Sequence, residues 1–156
     1  MKQTYEVRTW NKESENKESQ NKESGNKESQ NKKQPITLTV PGSKSITNRA
    51  LMLAAMSDHV CLLEGVLFSD DSRAFLDCLK NLGFVVEISE EKKQVRIQGT
   101  GGRIPHPQAE INVRSAGTAA RFLTVMLALA GGDYTCNSSE QMKKRPMQPL
   151  MTLLSE

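Results

Sequence analysis

Lys44, Ser45 and Arg49 follow directly on an apolar run, Ile36 to Val40, that breaks at Pro41-Gly42. The string PGSKSITNRALMLAA then reads as the opening of a helix, which places all three side chains at or just inside a helix N-terminus. The first N–H groups of a helix have no intrahelical partner, and the helix dipole turns its positive end towards them. Two cationic side chains added to such an end make a receptor for an anion. Ser45 and Arg49 are four residues apart, so they share a face and can hold one group together. The glycines do not follow G-x-x-x-x-G-K-[ST], the phosphate loop of nucleotide-binding proteins. A small phosphorylated or carboxylated metabolite is therefore expected rather than a nucleotide. The plainer reading of the same residues is that Ser43 or Ser45 caps the helix and the cations are solvated.

Two later strings carry similar chemistry. Ser115-Ala116-Gly117-Thr118 precedes an alanine-rich apolar helix, and Gly117, lacking a Cβ, lets a ligand approach the backbone or serves tight packing alone. Arg121, one turn into that helix, is either a second cation behind the site or a surface residue. Arg145 ends the run Lys143-Lys144-Arg145 just before Pro146, a plausible first helical position. Its planar fork suits a carboxylate or phosphate, whereas the two lysines read as solvated. Ser69-Asp70-Asp71 is better read as a cap with two carboxylates complementing a helix dipole than as an acid–base pair. His59 and His106 are far apart and lack partners with ligand spacing, so neither is assigned a metal or catalytic role.

The elements that must position these residues alternate along the chain. Strands are expected at 36–40, 59–64, 84–89, 94–98, 110–114 and 133–137, with helices at 44–57, 70–82, 117–130 and from about Met147 onward. Glu90-Glu91-Lys92-Lys93 marks a hairpin turn, and a Gly-rich stretch with Pro105 and Pro107 a longer loop. The class is α/β with mixed pairing: one βαβαββ unit and the start of a second, so an incomplete domain is expected. Residues 11–33 repeat NKES with no apolar side chain. They should be a disordered insertion, because nothing there offsets ordering entropy. The organisation expected is an N-terminal strand segment at 1–10, the insertion at 11–34 and a partial domain at 35–156.

Composition narrows the remaining classes. In 156 residues, 21 Lys and Arg against 18 Asp and Glu give a net charge of only +3, which makes no global case for nucleic acid. No apolar run is long enough for a membrane span, and MKQTYEVRTW lacks the apolar core of a signal peptide. Cys61, Cys78 and Cys136 are odd in number with no C-x-x-C spacing, which suits reduced thiols and a bacterial cytoplasmic enzyme.

Taken in order, PGSKSITNRALMLAA, Ser69-Asp70-Asp71, Ser115 to Leu123 (SAGTAARFL) and Lys144 to Leu150 (KRPMQPL) resemble the 5-enolpyruvylshikimate-3-phosphate synthase family. The resemblance covers roughly residues 35–156 and only the first part of the longer family chain. It implies an enolpyruvyl transferase fold, the inside-out α/β barrel of βαβαββ units, with ligands in a cleft between two domains and helix N-termini directed into it. The implied reaction moves the enolpyruvyl group of phosphoenolpyruvate to the 5-hydroxyl of shikimate 3-phosphate and releases phosphate, on the route to chorismate and aromatic amino acids. By resemblance Lys44, Ser45 and Arg49 contact shikimate 3-phosphate, and Lys44, Gly117 and Arg145 contact phosphoenolpyruvate. The groups that deprotonate the hydroxyl and protonate the methylene belong to the C-terminal part of the family chain. No catalytic acid or base is therefore assigned here, and the chain alone is expected to be inactive. No metal or organic cofactor is implied. The expected partners are the two substrates and the missing C-terminal portion, with no nucleic acid or membrane.

Two departures from the family stand out. The NKES tract replaces a short connection, and Arg114 takes the place of a glycine commonly found before the Ala-Gly-Thr turn. A bulky cation there is expected to crowd the phosphoenolpyruvate pocket. The related UDP-N-acetylglucosamine enolpyruvyl transferases pair the lysine with asparagine, whereas this chain has Lys44-Ser45, which favours shikimate. The rival from another class is a non-catalytic truncated fragment or half of a split enzyme.

Overall fold

The computed structural model describes residues 4–6, 37–39 and 42–155. The described residues fall into two compact units, separated near residue 40. In the first, β1 (Thr4–Glu6) pairs antiparallel with β2 (Thr37–Thr39), Thr4 opposite Thr39. The expected NKES insertion, the ends of the expected 36–40 strand and the domain boundaries drawn there lie outside the described residues.

The second unit begins with α1 (Lys44–Met56). Ser43 caps it as read from the sequence, its Oγ accepting the Ile46 N–H at 3.4 Å. Leu51, Ala54 and Ala55 form its buried stripe. After β3 (Val60–Glu64) comes α2 (Asp70–Asn81), which begins with Ser69 as cap, carries Asp70 and Asp71 in its first turn and has Lys80 in its last. Both charge placements complement the helix dipole. β4 (Val86–Ser89) and β5 (Gln94–Gln98) form the expected hairpin around residues 90–93, closed by Lys93 in the left-handed region. β5 also pairs antiparallel with β3, so the sheet order is β3-β5-β4. Along β5, Val95 and Ile97 alternate inward with Arg96 and Gln98 outward, giving one face to the core.

β6 (Gln108–Asn112), α3 (Gly117–Ala130) and β7 (Asp133–Asn137) make a βαβ crossover, the two strands pairing in parallel. Two short helices follow, α4 (Glu140–Lys143) and α5 (Gln148–Ser155). The core is shared by the three long helices and the two sheets: Leu51, Phe75, Leu79, Leu82, Ile97, Ile111 and Leu123 are all essentially inaccessible. Each such side chain stabilises the fold by roughly 1.5–3 kcal/mol relative to exposure. α5 contributes none of its residues to that core, and its Met151 and Leu153 are exposed. No helix among the described residues is long and apolar enough to cross a membrane.

Two expectations need correction. The strand placed at 110–114 runs from Gln108 to Asn112. It stops because Arg114 takes a φ of 52° and its N–H is captured by the Asn112 Oδ1 at 2.9 Å. The single helix expected from Met147 is preceded by α4, capped by Ser139, whose Oγ accepts the Met142 N–H. Pro146 lies in the link between α4 and α5 rather than at a first helical position. The remaining boundaries shift by one or two residues, the ordinary fraying of element ends.

Candidate anion-binding site

The site is built from two helix starts and one loop. At the first, α1 and the segment leading to α2 are pinned together. The backbone at Gly42 passes so close to Gly65 that a Cβ would sit 2.8 Å from the Gly65 carbonyl oxygen. Thr47 Oγ1 accepts the Leu67 N–H at 3.2 Å. Across this junction Lys44 Nζ lies 2.7 Å from Asp71 Oδ2, a partner that the sequence pattern did not single out. The ion pair is half-exposed on the lysine side, so its worth in stability is small. Its effect is to hold a cation over the starts of both helices. Ser45 and Arg49 are exposed, and neither forms a side-chain hydrogen bond or ion pair among the described residues. One turn below Lys44, Asn48 is wholly buried, and neither of its amide atoms has a hydrogen-bond partner among the described residues.

At the second helix start, α3 has Ala116 in the capping position and no side-chain cap. Its first N–H groups are thus left to another acceptor. Gly117 is buried, and a Cβ built on it would lie 2.5 Å from Nη1 of Arg145 and 3.2 Å from Nη1 of Arg121. A side chain at this position would push the Arg145 guanidinium from where it stands. Arg145 reaches this place from the α4–α5 link, where its own N–H is bonded to the Met142 carbonyl at 2.9 Å. Arg121 Nη1 donates to the Gly117 carbonyl at 3.2 Å and Nη2 to the Pro146 carbonyl at 3.4 Å. Ser115 and Ser139 join their hydroxyls at 2.8 Å, and the Ser139 N–H bonds the Arg114 carbonyl. Among the described residues no carboxylate pairs with Arg121 or Arg145.

The structure therefore brings Gly117 and Arg145 together and resolves Arg121 as a cation at the site. No hydrogen bond or ion pair among the described residues links Lys44, Ser45 or Arg49 to Gly117 or Arg145, although α1 and α3 pack against each other. The crowding expected from Arg114 is not seen. Its backbone turn swings the side chain to α2, where Nη2 meets Asp77 Oδ2 at 2.7 Å. Ser69 caps as expected, with Ser72 rather than a glutamate completing a reciprocal box.

The other singled-out residues lie apart. His59 pairs with Asp58, and His106 Nδ1 meets the Asn81 carbonyl at 3.1 Å. No cluster among the described residues has the makings of a metal site. Cys78 is buried, its thiol directed at the Asn112 carbonyl at 3.4 Å, while Cys61 is half-buried and Cys136 is exposed. Burial pushes the Cys78 thiol up to about 12. A cavity of about 620 Å³ between α3, β7, α4 and α5 has Arg145 in its wall but not Lys44, Ser45, Arg49, Gly117 or Arg121. Leu127, Ala128, Met147, Met151 and Leu154 make its walls mainly apolar, with Lys143 and Arg145 also in the lining.

Comparison with known proteins identifies the family. The family model described as EPSP synthase (3-phosphoshikimate 1-carboxyvinyltransferase) matches residues 29–156. A 3-phosphoshikimate 1-carboxyvinyltransferase of Trichormus variabilis is 45% identical over 118 residues, covering 76% of this chain and 28% of that protein. One from Neisseria meningitidis serogroup B is 43% identical over 121 residues, 78% of this chain and 28% of that protein. Among solved structures, EPSP synthase from Acinetobacter baumannii superposes with a TM-score of 0.69 at 28% identity, covering 76% of this chain and 26% of that one. The chain thus spans just over a quarter of the length of the relatives it matches. Matched along most of its length by that family model, the chain belongs to the EPSP synthase family.

Proposed function

We propose that this chain supplies part of the substrate-binding wall for transfer of the enolpyruvyl group from phosphoenolpyruvate to the 5-hydroxyl of shikimate 3-phosphate. In this reading Lys44, Ser45 and Arg49 hold shikimate 3-phosphate, and Lys44, Gly117 and Arg145 hold phosphoenolpyruvate. The observation that carries it is the Arg145 guanidinium standing over side-chain-free Gly117 at the uncapped start of α3. Two guanidinium groups converging there, with no carboxylate partner among the described residues, favour a ligand bearing more than one negative charge. Phosphoenolpyruvate has both a phosphate and a carboxylate. Lys44, tethered by Asp71 but half-exposed, can turn to a second anion without first being desolvated.

The chemistry needs the 5-hydroxyl to lose its proton as its oxygen bonds to the central carbon of phosphoenolpyruvate and the methylene carbon gains a proton. The methyl group so formed then gives a proton back as the C–O bond to phosphate breaks and the double bond re-forms. None of the residues named here is given that work, so the chain binds and orients. Titrating phosphoenolpyruvate into the 156-residue chain should show saturable binding that weakens about tenfold or more in Arg145→Ala, the loss of a charge-assisted contact. Lys44→Ala should weaken both ligands. Phosphate release from the two substrates together should be absent. Turnover abolished by Lys44→Ala would show the chain to be catalytically self-sufficient, and unchanged binding in Arg145→Ala would reject the assignment.

A further inference from the structure

Arg121 has a geometry that simple charge does not explain. Its guanidinium donates to the carbonyl of Gly117 in the first turn of α3 and to that of Pro146 in the α4–α5 link. These carbonyls belong to the two segments that carry Gly117 and Arg145. A planar fork with donors on separate nitrogens can span two acceptors; an ammonium on a flexible stem holds one poorly defined position. The link's other ties are local or partial. Arg145 is exposed, α5 buries no residue, and Met147 packs only partly against the core. The link's other backbone bonds, the Lys144 and Arg145 N–H groups to the Met142 carbonyl and the Met151 N–H to the Met147 carbonyl, stay within the adjoining turns. Two guanidinium groups near one point also repel each other, so the Arg121 bonds to carbonyl dipoles are what keep it there in the absence of an anion.

We infer that Arg121 is a positioning residue: it clips the Pro146 link to the start of α3 and so fixes the Arg145 guanidinium over Gly117. It acts on the ligand through Arg145 rather than by touching it. The inference rests on the proposed anion site for its consequence in binding, but the clip itself can be observed without a ligand.

The experiment compares the full chain with Arg121→Lys and Arg121→Met, the first keeping the charge and the second much of the side-chain volume. Without ligand, the Arg145 side-chain Nε–Hε signal in a nitrogen–proton correlation spectrum should be single and sharp in the parent chain. It should be averaged towards random-coil position in both variants, while core amide signals stay in place. Titration with phosphoenolpyruvate, and with inorganic phosphate as the simpler probe, should show affinity reduced about tenfold in both variants, the worth of roughly one charge-assisted hydrogen bond. Lysine failing to rescue is the signature of a clip. Parent-like affinity in Arg121→Lys with loss only in Arg121→Met would mean that charge alone matters and overturn the inference. An unchanged Arg145 signal in both variants would overturn it as well. If the parent chain binds neither probe, the proposed site fails while the Arg145 signal still decides the clip.

Discussion

The sharpest contrast between residues is Arg114 against Gly117. From the sequence both belong to one turn beside a ligand, and Arg114 reads as an intruder there. The structure shows that a left-handed backbone at Arg114 turns its side chain away to Asp77. Replacing it by glycine removes a half-exposed ion pair worth about 0–1 kcal/mol. It also relieves a positive-φ conformation that costs a non-glycine residue about 1–2 kcal/mol. Glycine's added freedom in the unfolded chain costs about 0.4–1 kcal/mol, which offsets most of the remaining gain. Arg114→Gly should leave the urea midpoint within a small shift and phosphoenolpyruvate affinity unchanged; a marked gain in affinity would revive crowding. The helix-start positions of Lys44, Ser45 and Gly117 were legible because capping and chain breaks are local properties, whereas Arg145 lies in a link that the sequence pattern did not show. That Gly117 makes room for Arg145, that Lys44 meets Asp71 and where Arg114 points are products of tertiary packing and backbone dihedral, which no local pattern encodes.

Among the elements, α2 shows how a start can be read and its detail missed. Ser69 before two aspartates announces the helix, but the usual box has Glu or Gln at the third position. Here Ser72 does that work: its Oγ accepts the Ser69 N–H at 2.8 Å and donates to the Leu67 carbonyl at 2.6 Å. Because Leu67 is also bonded by Thr47, the cap belongs to the junction that holds Lys44 against Asp71. Ser69→Ala should cost about 1 kcal/mol by denaturant titration and loosen the Lys44 end measurably in amide exchange. No change in either would show that Ser72 alone secures the helix. The hairpin at 90–93 was legible from its charged turn, whereas α4 was not, since four residues leave too short a period to detect.

For the whole molecule, the core sets an alkaline limit. Cys78 lies among Phe75, Leu79 and Ile111 in the buried set, and burial raises its thiol from 9.0 to about 12. The folded state keeps the proton that the unfolded state gives up. The contribution is therefore intact below about 9 and is lost as pH climbs from there towards 12. Between those values the unfolding free energy should fall more steeply in the parent chain than in Cys78→Ala. Equal slopes would mean that the thiol is solvated in the native state. The α/β class and the alternation of elements were legible in the sequence because period-2 and period-3.6 patterns survive in short strings. Which strands pair was legible only for the hairpin, since the β3–β5 and β6–β7 partners are chosen by contacts remote in sequence.

The parallel β6–β7 pair also has a consequence in time. A hairpin such as β4–β5 closes through a four-residue turn within about 1–10 μs, whereas parallel strands must wait for a whole crossover helix to be laid down between them. The Arg145 link comes later still, after β7 has joined β6 and α4 has been capped by Ser139. On a chain emerging from the ribosome, Lys44 and its helix would be made well before Arg145 existed to complete the proposed site. On the proposed reading the Arg145 side of the anion site forms only after the β6–β7 crossover has closed, and an anion present at that moment would act as a template for docking the link.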